Sequence, residues 1–335
     1  MKILCTIATI ITLAASISSC EKLFQKESAA DGKKTKKIAG LVFQEDQFFR
    51  LVLFGMRKKA EAAGVEFFEA NSYNKPDREV QLINTYIAKK VDAIVISPLS
   101  KTASKTALKK AQEKGIKIIT YNSTVDGNVA SAYVESSQKD LGAQSGQAAR
   151  RYIEEKLGGK AKIAMLAFKS QVPEQSNERS SGFKDEVTKL PGVTIVSEQD
   201  AWMPEMAIKK AGDILTANPD LNMIWAANEG GTVGSVMAVK NAGLSKKVAV
   251  FGTDTSKQLI QFLLNGDEIL HGITGQLPYE IGEKAMEVAI AAVNGTPFDA
   301  LTSIPGKLLE RSKPEDAKAF LQRMKEQQSH WNLFS

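Results

Sequence analysis

At 335 residues, 43% hydrophobic and 24% charged, the chain carries enough apolar material for two domains or one large one. Its formal charge of +6 is mild and its lysines are spread along the chain, which argues against a nucleic-acid binder. Two cysteines, Cys5 and Cys20, both sit in the first twenty residues and two histidines, His271 and His330, stand far apart, so no metal site and no cofactor is expected.

Residues 1–20, MKILCTIATIITLAASISSC, read as an export signal: Lys2 gives a positive start, residues 3–15 an apolar core, and small residues precede Cys20. The apolar part is too short and too rich in Ser and Thr to span a bilayer, which takes ~20 apolar residues. Ile17-Ser18-Ser19-Cys20 resembles the bacterial lipobox, whose cysteine thiol receives a lipid. Cys20 is therefore the expected lipidation site; an ordinary signal peptide with a chance cysteine is the alternative. Residues 21–36 lack a sustained apolar period and read as a tether. The expected mature protein is a monomer, lipid-anchored to a bacterial membrane and facing the periplasm.

From Lys37 a strand–helix alternation sets in. KIAGLVF, VEFFEAN, AIVISP and KIITYN read as strands; FRLVLFGMRKKAEAAG, DREVQLINTYIAKK and SKTALKKAQEKG carry helical spacing. The pattern restarts after the helical KDLGAQSGQAARRYIEEKLGG. Strands KIAMLAF, TIVSEQDAW, MIWAAN, VAVFGTD and HGITGQ alternate with helices over 180–189, 204–216, 234–242, SKQLIQFLLNG and 281–294. Ser312 and Pro314 open a last amphipathic helix; the tail HWNLFS has no reading. Continuous apolar strands separated by helices predict parallel sheets covered on both faces, in two consecutive α/β halves. Right-handed crossovers place all strand C-termini of a half on one rim, where function in such sheets belongs.

The strand ends deliver a narrow chemistry to that rim. The first half supplies Asp46 with Phe48 and Phe49, then Ser97-Pro98, then Tyr121-Asn122-Ser123. The second supplies Arg179, Asp200-Ala201-Trp202, Asn228-Glu229, Thr253-Asp254 and Gln276. There is no thiol, no histidine and no activated nucleophile in this set. Amides and carboxylates bridge neighbouring hydroxyls, an arginine offers a planar fork of donors, and aromatic faces suit a patch of C–H bonds. A sugar ring presents those features. Each residue also has a plainer reading: Phe48 or Phe49 as core, Asp254 as a helix cap, Asn122 and Asn228 as turn formers, Arg179 as a surface cation, Gly230-Gly231 as a turn rather than a phosphate cradle. The coincidence of independent strands ending in sugar-compatible groups favours binding.

These residues carry a resemblance to the periplasmic sugar-binding proteins of ABC transporters, in the class of the ribose- and galactose/glucose-binding proteins. The motifs are EDQFF, ERSSGF (178–183), MIWAANEGGTVG, VAVFGTD and GQLPYEIGEKA, and the likeness runs from about Lys37 to Leu308. It implies two doubly wound parallel-sheet lobes joined by a three-segment hinge. The expected lobes are 37–136 plus 277–304 and 137–276 plus 305–335, with crossings near Ser136, Gln276 and Ile304. It implies Asp46, Phe48 and Phe49 as first-lobe contacts, Asn122 for hydroxyls, Arg179 for the ring oxygen, Trp202 as a second-lobe platform, and Asn228, Asp254 and Gln276 as further polar contacts. The ring would be sandwiched between Phe48 and Trp202. The ribose type has Asn-Pro and Asp-Arg where this chain has Asp46-Gln47 and Asn122-Ser123, so the pattern leans towards hexoses; Gln175 is a candidate substitute for a polar cluster of the hexose type.

The expected function is capture of a monosaccharide by lobe closure and delivery to an ABC permease, without catalysis. A ligand-presenting receptor for a chemoreceptor or sensor kinase would use the same closed form, and a nucleoside or autoinducer-type furanose is an alternative ligand. A glycosidase would need two rim carboxylates such as Asp46 and Asp254 at ~5–10 Å. A sugar-sensing repressor would need a DNA-binding module ahead of the core.

Overall fold

Two runs of strand–helix alternation build two six-stranded sheets of matching strand order. The structure, a computed structural model, describes residues 35–332; the signal, Cys20 and most of the tether lie outside the described residues. The first run comprises β1 (Lys37–Val42), α1 (Gln47–Ala62), β2 (Glu66–Asn71), α2 (Pro76–Ala88), β3 (Ala93–Ile96), α3 (Ala103–Glu113), β4 (Lys117–Tyr121) and β5 (Ala132–Ser136). The second comprises α4 (Gln138–Lys156), β6 (Lys160–Ala167), α5 (Pro173–Val187), β7 (Gly192–Asp200), α6 (Pro204–Ala217), β8 (Met223–Ala226), α7 (Glu229–Asn241), β9 (Ala249–Thr253), α8 (Lys257–Leu264) and β10 (Leu270–Gly275). Then follow α9 (Pro278–Asn294), β11 (Leu301–Ile304), β12 (Lys307–Glu310) and α10 (Pro314–Asn332).

The sheets run β11-β5-β4-β3-β1-β2 and β12-β10-β9-β8-β6-β7, the doubly wound α/β architecture expected from the alternation. The chain passes between them three times. After β5 it enters α4, which packs on α5, β9 and β10; after β10 it returns through α9, which packs on α1, β3, β4 and β5; and β11 passes directly to β12. All neighbours pair in parallel except β10 with β12. That exception has a topological cause. Strand C-termini of both lobes face the same cleft, so a strand leaving one rim through only Pro305-Gly306 enters the other lobe rim-first and runs backwards in it.

Each sheet is buried on both faces. In the first lobe α1 and α9 cover one side, with Val52, Met56, Ile281 and Ala289 against Ile38, Val95 and Ile119, while Ile83, Tyr86 and Leu108 cover the other. In the second, Phe183 of α5 stacks on Trp225 of β8 at 4.6 Å, and the indole N–H donates to Ser145 Oγ on α4 at 2.9 Å. Fully buried strands such as AIVI and MIWA explain why the sequence shows continuous apolar runs. Helix α4 sits tight on α5: a Cβ at Gly142 would stand 1.9 Å from the Arg179 carbonyl oxygen, and one at Gly182 2.0 Å from that of Lys139. This close approach sets where Arg179 emerges.

Some boundaries differ from the sequence reading. Strands β5, β11 and β12 fall where none is expected; AYVES alternates with polar residues, and the other two are four-residue edge strands. Helices α5 and α7 start at Pro173 and Glu229, earlier than apolar periodicity indicates, because a first-turn proline and the Asn228 cap set their starts.

Candidate ligand-binding site

The rim between the lobes is built from helix starts. Asp46 caps α1, its Oδ1 accepting the Phe49 N–H at 2.9 Å; Asn228 caps α7 through Gly231; Ser256 caps α8 through Leu259. Each such cap stabilises its helix by ~1 kcal/mol. The caps also aim helix N-termini, with their partial positive charge, into the space between the lobes. That space is a cavity of about 410 Å³.

Arg179 is the most constrained group in it. The side chain is 4% exposed, yet its neighbours account for the buried charge. Nε donates to Gln138 Oε1 at 2.6 Å, and Nη1 donates to the Ala227 carbonyl at 2.8 Å and to Asp254 Oδ1 at 3.4 Å. The guanidinium lies over the Phe168 ring, 5.2 Å from its centre. Nη2 makes no hydrogen bond among the described residues, and Arg179 lines the cavity. Asp254 is shared, its Oδ2 accepting the Glu229 N–H at 2.9 Å. Burial pushes the Glu229 carboxyl above its usual range and the nearby Asp254 charge adds to this, while a hydrogen bond from Ser256 opposes it.

On the facing lobe, the two phenylalanines divide their work. Phe49 is 3% exposed and packs against Phe43 and Tyr121, with ring centres 4.4 and 6.5 Å away, so it belongs to the core edge. Phe48 stands edge-on to it at 5.2 Å and is half-buried at the cavity. Asn122 follows β4 with φ 59°, a left-handed conformation that asparagine tolerates well. Its Nδ2 lies 3.4 Å from Ser97 Oγ.

Of the nine candidate residues, eight line this one cavity: Asp46, Phe48, Phe49, Asn122, Arg179, Asn228, Asp254 and Gln276. Trp202 is not among the lining residues. Its half-buried ring packs against the second lobe's core cluster that contains Phe168, Phe183 and Trp225, and its N–H donates to Ser170 Oγ at 3.1 Å. The indole is thus hydrogen-bonded to the loop that carries Phe168, Gln171 and Val172 to the cavity. Asp46 and Asn228 are both candidate ligand groups and helix caps, with capacity left over, since a carboxylate or amide oxygen accepts more than one bond.

Sequence reasoning missed two parts of the wall. Gln138, at the first crossing, holds Arg179 but carries no motif. The other is α10, whose residues Phe320, Arg323, Met324 and Gln327 also line the cavity; only its helical period is visible in the sequence. Glu229, expected at the rim with Asn228, lines the cavity beside it.

A cleft between two α/β lobes, crossed three times by the chain and lined by amides, carboxylates, guanidiniums and aromatic rings, defines a two-lobed ligand-binding protein. The chain belongs to the periplasmic binding protein domain family, whose model matches residues 41–297. It is similar to the ABC transporter periplasmic-binding protein YphF of Escherichia coli strain K12, at 26% identity over 301 residues, 88% of this chain and 90% of that protein. It is also similar to the ribose import binding protein RbsB of Bacillus subtilis strain 168, at 26% identity, covering 78% of this chain and 82% of that one. Among solved structures, an ABC transporter periplasmic solute binding protein from Actinobacillus succinogenes 130z with bound D-allose superposes with a TM-score of 0.72 at 27% identity, covering 84% of this chain and all of that one. These relatives are binding proteins of transport systems, not enzymes.

Proposed function

We propose that this protein captures an uncharged sugar in the cleft between its lobes and delivers it to an ABC permease. The observation that carries the reading is the convergence on one cavity of Arg179 and Asp254 from one lobe with Phe48, Asp46 and Asn122 from the other. The Arg179 Nη2 donor meets ring and hydroxyl oxygens, the amides and carboxylates bridge hydroxyl pairs, and the Phe48 ring covers a C–H face. The relatives support it: they include a ribose import binding protein, a D-xylose-binding periplasmic protein, and a solved structure with bound D-allose. The lining holds four carboxylates, Asp46, Glu229, Asp254 and Glu280, against two guanidiniums, Arg179 and Arg323. That balance disfavours an anionic sugar.

Closure follows from the contacts. A sugar that touches only one lobe gains half its partners, so the closed form is favoured by the contacts it alone completes. The three crossings, at 136–138, 275–278 and 304–307, are the hinge of this proposal. Gln138 couples hinge and grip, because it directs Arg179 from the first crossing itself. Lys101 and Glu174, 2.6 Å apart, pair one lobe with the other and shift with closure in this scheme. We further propose that residues 1–20 direct export and that a lipid on Cys20 holds the protein, as a monomer, to the membrane beside its permease.

A thermal-shift screen of monosaccharides and nucleosides tests the reading, since a ligand that binds only the folded form raises its melting point. A neutral sugar should raise it, and Arg179→Ala should abolish the rise. A rise with nucleosides alone, or with no sugar at any concentration up to millimolar, defeats the sugar reading.

A further inference from the structure

The cavity has two unlike ends. One is the polar knot of Arg179, Asp254, Asn228 and Glu229. The other is walled by Leu51, Leu277, Pro278, Tyr279, Phe320 and Met324. These last residues come together because α1, α9 and α10 meet there: α1 packs on α9 along its length, α10 touches α1, and Arg323 of α10 pairs with Glu280 of α9.

Helix α10 lies beyond the residues that the family model matches. Its hold on the second lobe does not depend on the cleft. Ala317 and Met324 are buried in that lobe's core, Phe320 and Leu321 pack against it, and the helix rests on α8 and β12. From this base, positions 320, 323, 324 and 327 form one helical face turned to the cavity. The cation on that face is already matched by Glu280, so the wall offers apolar surface and not a free charge. A free monosaccharide carries hydroxyls on nearly every carbon, and most of those aimed at this end would lose water for apolar surface, with only the Gln327 amide and the already paired Arg323 and Glu280 to meet. A substituent with an apolar face would bury surface there instead.

We propose that the α10 face is a second subsite, which takes the aglycone of a neutral O-glycoside whose sugar ring occupies the polar end. This rests on the sugar-binding reading and sharpens it: the preferred ligand is a substituted sugar and not the free one. The Arg323–Glu280 pair acts as a positioning element, tying the α10 wall to the opposite lobe so that the subsite exists only between the two.

The test is calorimetry on the purified protein with D-glucose, D-galactose, D-allose, D-ribose and D-xylose, and with the methyl and phenyl glycosides of each in both anomers. The expected result is that at least one glycoside binds about tenfold or more tightly than its parent sugar, the scale on which apolar pockets discriminate. Phe320→Ala, which removes apolar wall, and Gln327→Trp, which fills the subsite from a half-buried position, should each bring that ratio down towards one. Melting curves of both variants confirm that they fold. Parent sugars that bind as tightly as every glycoside, or a preference that survives both substitutions, overturn the inference while leaving the sugar reading intact. Binding of neither class defeats both.

Discussion

Asn122 and Asp254 occupy the same place in two different lobes: each directly follows the strand that is third in its sheet order, β4 or β9, and each holds a left-handed backbone, with φ of 59° and 74°. An L-residue there is strained by about 1 kcal/mol, asparagine and aspartate least among side-chain-bearing residues. The turn points one polar side chain from each lobe into the same cavity.

Two substitutions separate strain from binding at Asn122. Asn122→Ala should lower stability by about 1 kcal/mol in urea unfolding, because alanine keeps the strain and loses the bond to Ser97. Asn122→Gly should relieve the strain and hold stability near the parent value. Both should weaken sugar binding in calorimetry, since both lose the amide. Unchanged affinity in Asn122→Gly would mean that the residue only shapes the turn.

Gln138 is the second test. With Gln138→Leu, Arg179 Nε has no acceptor in a buried setting, and a hydrogen bond to a charged group is worth ~1.5–3 kcal/mol. Affinity should fall about 10- to 100-fold with a loss of stability of the same order. Gln138→Glu should recover much of the affinity, since its carboxylate also accepts from Nε. Calorimetry and urea unfolding on both variants decide it; a Leu variant with parental affinity removes Gln138 from the gripping apparatus.

The roles of three rings also separate. Phe49→Ala should cost ~3 kcal/mol of stability, as for other buried phenylalanines. Phe48→Ala should cost little stability but much affinity, because that ring faces the cavity. Trp202→Ala should weaken binding less than Phe48→Ala, acting through the Ser170 loop it supports. The ranking is read from parallel calorimetry. A larger loss for Trp202 than for Phe48 would show that closure brings the indole onto the sugar.

What could be read before the structure follows from which forces leave a local trace. Alternation of apolar strands and helices reflects burial on both sheet faces, and it exposed the two-lobed α/β plan. Strand-end residues are found by counting along that alternation, which is how Asp46, Arg179, Asn228 and Asp254 come from distant segments to one list. Trp202 shows the limit: its position after β7 is legible, but the direction of its ring depends on packing against the second lobe's core and on Ser170. Gln138 and the α10 face were invisible for a related reason. Their contacts span 41 residues in one case and 43 in the other, from Arg179 and Glu280 respectively, with no motif at either end. The edge strands β11 and β12 are too short and too polar to leave a period, although they carry the third crossing.

His271 supplies a pH dependence remote from the cleft. Its ring is packed 4.6 Å from that of Tyr152 and 6.0 Å from that of Phe251, with Nε2 at 2.9 Å from the Glu268 carbonyl oxygen. Burial, with the Arg311 charge adding to it, lowers its pKa from 6.5 to about 4. A depressed pKa means that the unfolded chain binds the proton first, so stability tied to neutral His271 is complete above pH 6.5, shrinks as pH falls, and is lost once pH passes below about 4. The chain has two histidines, so the His271 ring protons can be followed in an NMR titration against those of His330. The His271 resonance should titrate near 4 in the folded protein, and His271→Gln should flatten the part of the urea-unfolding profile between pH 4 and 6.5 that the imidazole contributes. A resonance that titrates near 6.5 would place the ring in water, contrary to its packing against Tyr152 and Phe251.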